Sequence, residues 1–261
     1  MMNNKKIHTM FGSLLTLLVF MYAGIAQAAD IASPEEALYK AAQARMLSQR
    51  MVKNYTLAGL GVRARKAKAE LESNTQQFET LLSELSAYAA DDATRANLRT
   101  AKTLWEKAKP ELLGAPSKEK VEGIREQSEA LLQSCGQIVS SLSDHSQSPN
   151  ADAIDLAGRQ AMLSQRIAVT YSLMAWGFED KYRSSYENTY KEFEMTMTLI
   201  TGLDIEVVDT AQSDKALKKI ERQFKRVKPA KGDTFVPSLV DRSTEKLLDA
   251  VDAATKFYAG L

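Results

Sequence analysis

The residues best suited to ligand binding are arginines and glutamines in a motif that occurs twice. The pentapeptide MLSQR occupies residues 46–50 and returns at residues 162–166, an offset of 116 residues. Arg45 directly precedes the first copy, and Gln49 follows it by one helical turn. Arginine offers planar, permanently charged donors that contact a flat oxyanion at two points. An arginine followed by an amide one turn later is thus one arrangement that can hold a small oxyanion, and we treat the first copy as a candidate for such a site.

The second copy repeats this pattern with one difference. Ala161 stands at the position equivalent to Arg45, and the nearest arginine before the motif lies two residues earlier. The candidate ligand-binding residues carry charged or amide side chains in and around the two copies: Arg45, Gln49, Arg50, Arg159, Gln165 and Arg166. The alternative role for the arginines is ion pairing with acids of neighbouring helices. For Arg50 and Arg166 both roles stay open.

The remaining reactive residues exclude several kinds of site. Cys135 is the single cysteine, and its place in a predicted helix favours a buried structural thiol. The two histidines, His8 and His145, are too few for a Cys/His zinc site or a Ser-His-Asp triad. A formal net charge of +1 argues against a nucleic-acid-binding surface. We therefore predict no catalytic centre, no metal site, no cofactor and no nucleic-acid partner.

The first 28 residues have the pattern of a secretory signal peptide. Lys5 and Lys6 precede a largely apolar run at residues 10–25, and the small-x-small sequence AQA follows at residues 26–28. The pattern predicts cleavage before Ala29 and a soluble periplasmic protein. An uncleaved membrane anchor is the alternative, although the run is short for a membrane span.

The rest of the chain is predicted to be helical, because glycine and proline are scarce and apolar residues recur at helical spacing. Start and stop signals place the helices as follows: 34–58, 63–88, 91–110, 116–142, 152–178, 182–203, 214–227 and 237–258. A polar segment at residues 143–150 separates the first four from the last four. We predict an all-α protein of two tandem antiparallel four-helix bundles, in residues 29–145 and 150–261.

Correspondences between the halves extend to all four helices. Trp105 in the first half corresponds to Phe224 in the second, and the residues around Glu129 correspond to the residues around Glu245. The two copies of the motif share five consecutive residues, and five consecutive residues point in all directions around a helix. The motif helix is therefore expected to be covered on every side, by its own bundle and by a second body. We predict that this body is the other copy, and that the two halves pack through their first helices as an intramolecular pseudo-dimer.

Residues 157–166 (AGRQAMLSQR) resemble the signature of the PilJ-type domain, the N-terminal sensor domain of type IV pilus methyl-accepting chemotaxis transducers. They are also similar to the periplasmic domains of nitrate/nitrite-sensing histidine kinases. Residues 41–50 fit the pattern less closely at their start. The resemblance implies four-helix bundles that pair across their first helices. In some members an arginine just before the motif methionine, here Arg45, binds nitrate or nitrite at that pairing surface.

Two hypotheses about function follow, and neither is an enzyme. The first is an exported sensory or ligand-binding protein that takes a small oxyanion, nitrate or nitrite, between the two motif helices. Family domains feed a kinase or a signalling coil, and no such output segment follows here, so we expect a membrane-bound receptor or sensor kinase as partner. The second hypothesis is a ligand-independent interaction module that binds a membrane receptor or another envelope partner.

A lysine-rich stretch at residues 215–228 forms one basic helix face. A solvated face is the ordinary interpretation of such a charge run. Attraction to an anionic membrane or to an acidic partner is the other.

Overall fold

The computed structural model describes residues 31–203, 210–227 and 235–261. Within these ranges the chain forms α-helices, one short π-helical turn and no strand: α1 (Pro34–Gly59), α2 (Ala64–Tyr88), α3 (Asp92–Leu112), α4 (Val121–His145), α5 (Ala151–Leu173), the π-helical turn (Met174–Phe178), α6 (Glu179–Thr201), α7 (Thr210–Phe224) and α8 (Pro237–Tyr258). The all-α prediction is confirmed. The predicted signal peptide lies outside the described residues. None of the helices in these ranges is long and apolar enough to cross a bilayer.

Two of the predicted helix starts are formed by side-chain caps. The Ser33 hydroxyl accepts a hydrogen bond from the Glu36 backbone N–H at 3.1 Å, and Pro34 opens the first turn of α1. The Asp91 carboxylate caps α3 in the same way, accepting from the Thr94 N–H at 2.7 Å. These caps satisfy backbone donors that have no partner inside the helix.

Several predicted helix boundaries differ from the structure, and three of the differences are described here. α3 continues through Pro110 to Leu112, because proline removes only its own N–H and the buried Leu112 side chain anchors the last turn. α4 begins at Val121, since the Ser117 N–H donates to the Tyr55 hydroxyl at 2.9 Å and holds the preceding segment outside the helix. The fifth helix leaves regular α-helical geometry after Leu173 and is followed by a short π-helical turn with a kink at Gly177, whose φ of 93° is not helical.

Each half builds its bundle around its first helix. In the first half α1 packs against α2 and α4, and α3 packs mainly against α4. In the second half α5 packs against α6 and α8, and α7 packs mainly against α8. Phe78 and Trp105 pack with ring centroids 4.9 Å apart, and Phe193 stacks on Phe224 at 4.3 Å. The sequence echo between Trp105 and Phe224 therefore corresponds to equivalent places in the two cores.

The two halves meet along α1 and α5, which pack against each other more extensively than any other pair of helices. Ala42 lies against Gly158, and Gly59 lies against Trp176. Since both pairs are separated by nearly the same distance along the chain, the two helices run parallel. The predicted packing of the halves through their first helices is present in the structure, and we call the contact surface between α1 and α5 the seam.

Candidate functional site at the seam

The two helices of the seam approach each other closely where Gly158 meets Ala42, two positions related by the 116-residue offset. A Cβ added to Gly158 would lie 2.4 Å from the Ala42 Cβ, so only glycine fits there. The motif serines fold their hydroxyls back onto their own helices, Ser48 to the Arg45 carbonyl and Ser164 to the Ala161 carbonyl, each at 2.7 Å. Small side chains with internal hydrogen bonds allow the two helices to approach closely.

Arg45 reaches across the seam from α1 to α5. Its Nη1 forms an ion pair with the Asp155 Oδ1 at 2.8 Å, and its Nη2 donates to the Asp155 backbone carbonyl at 2.9 Å. The residue is 8% exposed, whereas the Asp155 side chain is 39% exposed. The Nε–H of Arg45 is buried and has no hydrogen-bond partner in the described part of the chain. One edge of the guanidinium is therefore held by α5, and another remains free to donate.

Gln49 and Gln165 lie further along the same surface. Each follows the Ala42–Gly158 contact by seven residues, which is two helical turns, so both return to the seam. Gln165 is fully buried; its Nε2 donates to the Ser164 hydroxyl at 3.2 Å and its Oε1 has no partner among the described residues. Gln49 is 4% exposed, and its amide forms no hydrogen bond in these ranges. The seam thus holds amide groups with unused hydrogen-bonding capacity.

The motif arginines Arg50 and Arg166 pair with acids of the opposite half. Arg50 Nη2 contacts Glu245 Oε2 on α8 at 2.5 Å, and Arg166 Nη2 contacts Glu129 Oε1 on α4 at 3.0 Å. The two ion pairs are related by the same 116-residue offset. Of the two roles left open by the sequence, these arginines perform ion pairing between the bundles.

Arg159 is not brought to the seam. Its Nε and Nη2 donate to Glu192 on α6, on the exposed side of α5. Arg159 precedes Ala161 by two residues, about 200° around the helix, so it cannot replace the missing arginine. Of the six candidate residues, Arg45, Gln49 and Gln165 lie on the surfaces of α1 and α5 that face each other and carry groups without a hydrogen-bond partner among the described residues. The Nε–H of Arg50 is likewise buried without a partner in these ranges, although its Nη2 is paired with Glu245.

Sequence reasoning missed a buried cation beside the seam, where α1 faces α8. Lys53 has no exposed surface, and its Nζ lies 2.5 Å from Glu245 Oε1 and 3.3 Å from Asp241 Oδ1. Burial alone would raise the pKa of Glu245, but the charges of Lys53 and Arg50 and the hydrogen bond from Lys53 hold that pKa below its ordinary value. The sequence signal was the echo of Glu129 by Glu245, at the same offset as the motif arginines.

The same region contains Cys135, whose predicted burial is confirmed. Burial raises the pKa of its thiol to about 12, and the nearby positive charge of Arg45 offsets only part of this effect. A thiol with this pKa is not a nucleophile at neutral pH. Within the described residues, no three or more His, Cys, Asp or Glu side chains are grouped as a metal site would require.

A family model for the type IV pili methyl-accepting chemotaxis transducer N-terminal domain, PilJ, matches the chain twice. The matches cover residues 34–133 and 144–253, which is most of the chain. The chain belongs to the PilJ family. No curated protein and no solved structure matches it. Each PilJ match contains one motif helix, so one chain supplies both sides of the seam.

Proposed function

We propose that this PilJ protein is a sensory protein that binds a small oxyanion, nitrate or nitrite, between its two motif helices. The observation that supports this function is the buried, unpartnered Nε–H of Arg45 at the seam. A buried donor on a charged group is costly unless it is satisfied, so the site favours a ligand that accepts a hydrogen bond. The membership in a family of chemotaxis-transducer domains supports the sensory role.

The proposed contacts follow from the geometry of the seam. Asp155 holds the guanidinium of Arg45 in place, and the free edge of that group donates to the anion. The Gln49 amide, one turn later on α1, supplies a further donor. Because Ala161 replaces a second arginine, the anion is held by one guanidinium and by neutral groups. Asp155 also opposes binding, since its carboxylate is a negative charge close to the ligand.

Isothermal titration of the purified protein with sodium nitrate and sodium nitrite, against sodium chloride, tests this function. Arg45→Ala should abolish the heat of nitrate or nitrite binding. Asp155→Asn keeps an acceptor for Arg45 but removes the opposing charge, so it should tighten binding about tenfold, equivalent to about 1.4 kcal/mol. Arg65→Ala removes an exposed arginine from α2 and is the matched control that should leave binding unchanged. An absence of heat in both the wild type and Asp155→Asn would exclude this ligand class.

A second candidate function is a ligand-independent interaction module for a membrane receptor or an envelope partner. Arg50 and Arg166 each form an ion pair with an acid of the other bundle. These ion pairs favour the interaction module, because they hold the two bundles together without a ligand. Pull-down from envelope extracts, with and without nitrate, separates the two functions. A receptor captured equally in both conditions supports the interaction module.

We also propose that the protein is exported to the periplasm, on the basis of the basic, apolar and small-residue pattern in residues 1–28. Intact-mass measurement of the protein from the periplasmic fraction is the test. A chain beginning at Ala29 is expected. A full-length chain retained in the membrane fraction would overturn the proposal.

A further inference from the structure

The second bundle carries a cationic surface that takes no part in the seam. α7 and α8 pack antiparallel, since Ser213 near the start of α7 lies against Tyr258 at the end of α8. Two hollows of about 500 and 360 Å³ follow the line between these helices. Five cations line them, and we call this surface the α7–α8 groove: Lys215, Lys219, Arg226, Arg242 and Lys246.

The five cations of the α7–α8 groove are not joined in ion pairs among the described residues. No carboxylate lines either hollow, and no ion pair joins any of the five to an acid within the ranges that the structure describes. The α8 acids Asp241 and Glu245 lie instead on the side that faces the first bundle, where they pair with Lys53 of α1. α8 thus presents Asp241 and Glu245 to the first bundle, and Arg242 and Lys246 to the groove.

The first bundle provides an internal comparison. Trp105 and Phe224 occupy equivalent core places, and Glu129 and Glu245 form equivalent ion pairs, so the helices can be aligned. The positions equivalent to the five cations carry no net charge in the first bundle: Ala96, Thr100, Lys107, Glu126 and Ala130. The basic groove is therefore not a requirement of the bundle, because the first half forms the same architecture without it.

The shape of the surface also differs between the halves. In the first bundle the Asn97 side chain donates to the Gln137 carbonyl at 3.2 Å and bridges α3 to α4. The equivalent of Asn97 is Ala216, which cannot make this bridge and lines the larger hollow. Ala253 and the half-buried Phe257 line it from α8. The α7–α8 groove combines small and apolar side chains with a cationic rim.

We propose that the α7–α8 groove binds an acidic segment of a partner protein. The groove extends about 15 Å along the ten residues of α7 from Lys215 to Phe224 and continues to Arg226. Its five cations, none of them in an ion pair among the described residues, complement a run of carboxylates. The alanines leave room for a polypeptide backbone, and the concave form suits a chain better than the plane of a bilayer. The site is separate from the seam, so it neither requires nor excludes oxyanion binding there.

The proposal is tested by the fluorescence anisotropy of a labelled 20-residue helical peptide in which Glu-rich turns alternate with Ala-rich turns. The salt concentration is about 0.15 M, at which interactions between charges more than about 8 Å apart are largely screened. Wild type should bind this peptide, and it should not bind the same peptide with Gln in place of Glu. The triple variant Lys219→Glu, Arg242→Glu and Lys246→Glu should weaken binding at least tenfold.

Two further variants distinguish specific binding at the α7–α8 groove from general attraction between the acidic peptide and a cationic protein. Lys68→Glu, Lys102→Glu and Lys107→Glu change the charge equally at exposed positions of the first bundle, and binding should stay within twofold of wild type. Ala253→Trp fills the groove without changing its charge, and it should also weaken binding. Circular dichroism verifies that every variant is folded.

Three results would overturn the proposal. The first is equal weakening by the two triple variants, which indicates diffuse attraction. The second is full binding by Ala253→Trp, which indicates that the hollow is not the site. The third is absence of peptide binding together with sedimentation of the protein on phosphatidylglycerol vesicles, which assigns the surface to a membrane.

Discussion

Replacement of Gly158 by alanine tests the parallel seam directly. In the structure the new Cβ would lie 2.4 Å from the Ala42 Cβ and 3.3 Å from the Arg45 Nη2. The Ala42 Cβ is fixed to the backbone of α1, so it cannot rotate away as a long side chain would. The helices must move apart, and the contacts on both sides of this point must loosen with them.

The magnitude can be worked out by comparison with a glycine that has open space around it. Gly136 lies on α4, and nothing lies within 4 Å of a Cβ added to it. Gly136→Ala should stabilise the protein by about 1 kcal/mol, the difference in helix propensity. Gly158→Ala gains the same amount but overpacks the seam, which costs about 1–3 kcal/mol. The free energy of unfolding should therefore be about 1–3 kcal/mol lower for Gly158→Ala than for Gly136→Ala.

Urea unfolding followed by circular dichroism measures these free energies. A double variant with Ala42→Gly and Gly158→Ala moves the glycine to the other helix and restores the space. Its stability should exceed the sum of the two single effects, with a coupling energy of about 1–2 kcal/mol. If Gly158→Ala is as stable as Gly136→Ala, and the coupling is zero, α1 and α5 do not meet as described and the seam is wrong.

Three further predictions follow from buried polar groups. Glu245→Gln should lower the free energy of unfolding at pH 7 by about 3 kcal/mol, because Lys53 then loses one of its two carboxylates. The pKa of Glu245 in the folded protein lies below 4.5, its ordinary value in the unfolded chain. The stabilisation from this carboxylate is therefore complete above pH 4.5 and is lost as the pH falls through the folded pKa. Urea unfolding from pH 7 downward should show the free energy of unfolding of the wild type approaching that of the variant. Cys135, whose thiol pKa is about 12, should react with Ellman's reagent at pH 8 only after unfolding. Tyr55→Phe should cost about 1–2 kcal/mol in thermal or urea unfolding, since it removes the acceptor of the Ser117 N–H.

Much of the architecture was predictable from the sequence. Helix starts at Pro34 and Asp92 follow from Ser33 and Asp91, whose side chains cap the next turn. The duplication was visible in the repeated motif, and its retention on every face of the helix predicted a second body against it. These predictions succeed because capping and helical periodicity depend on residues that are close in sequence. The duplication is visible because the two halves of the chain can be compared with each other.

The helix boundaries that were wrong depend on distant contacts. The segment before α4 stays outside the helix because of a hydroxyl at Tyr55, 62 residues away. The π-helical turn after Leu173 brings Trp176 against Gly59 in the other half, where an added Cβ would lie 2.1 Å from the indole. Local propensity does not contain this information, because it arises only when the two bundles are packed together.

The roles of the arginines were also decided by the tertiary structure. The sequence identified Arg45 and Arg50 as charged groups of a covered helix, but many carboxylates lie on the neighbouring helices. Packing selects Asp155 for Arg45, 110 residues away, and Glu245 for Arg50, 195 residues away. A charge pairs with whichever opposite charge the fold brings within a few ångströms, and that distance depends on the packing of helices rather than on the spacing of residues. The sequence by itself therefore determined the two bundles and the motif, whereas the packing of α1 against α5 decided which donor was left unpaired.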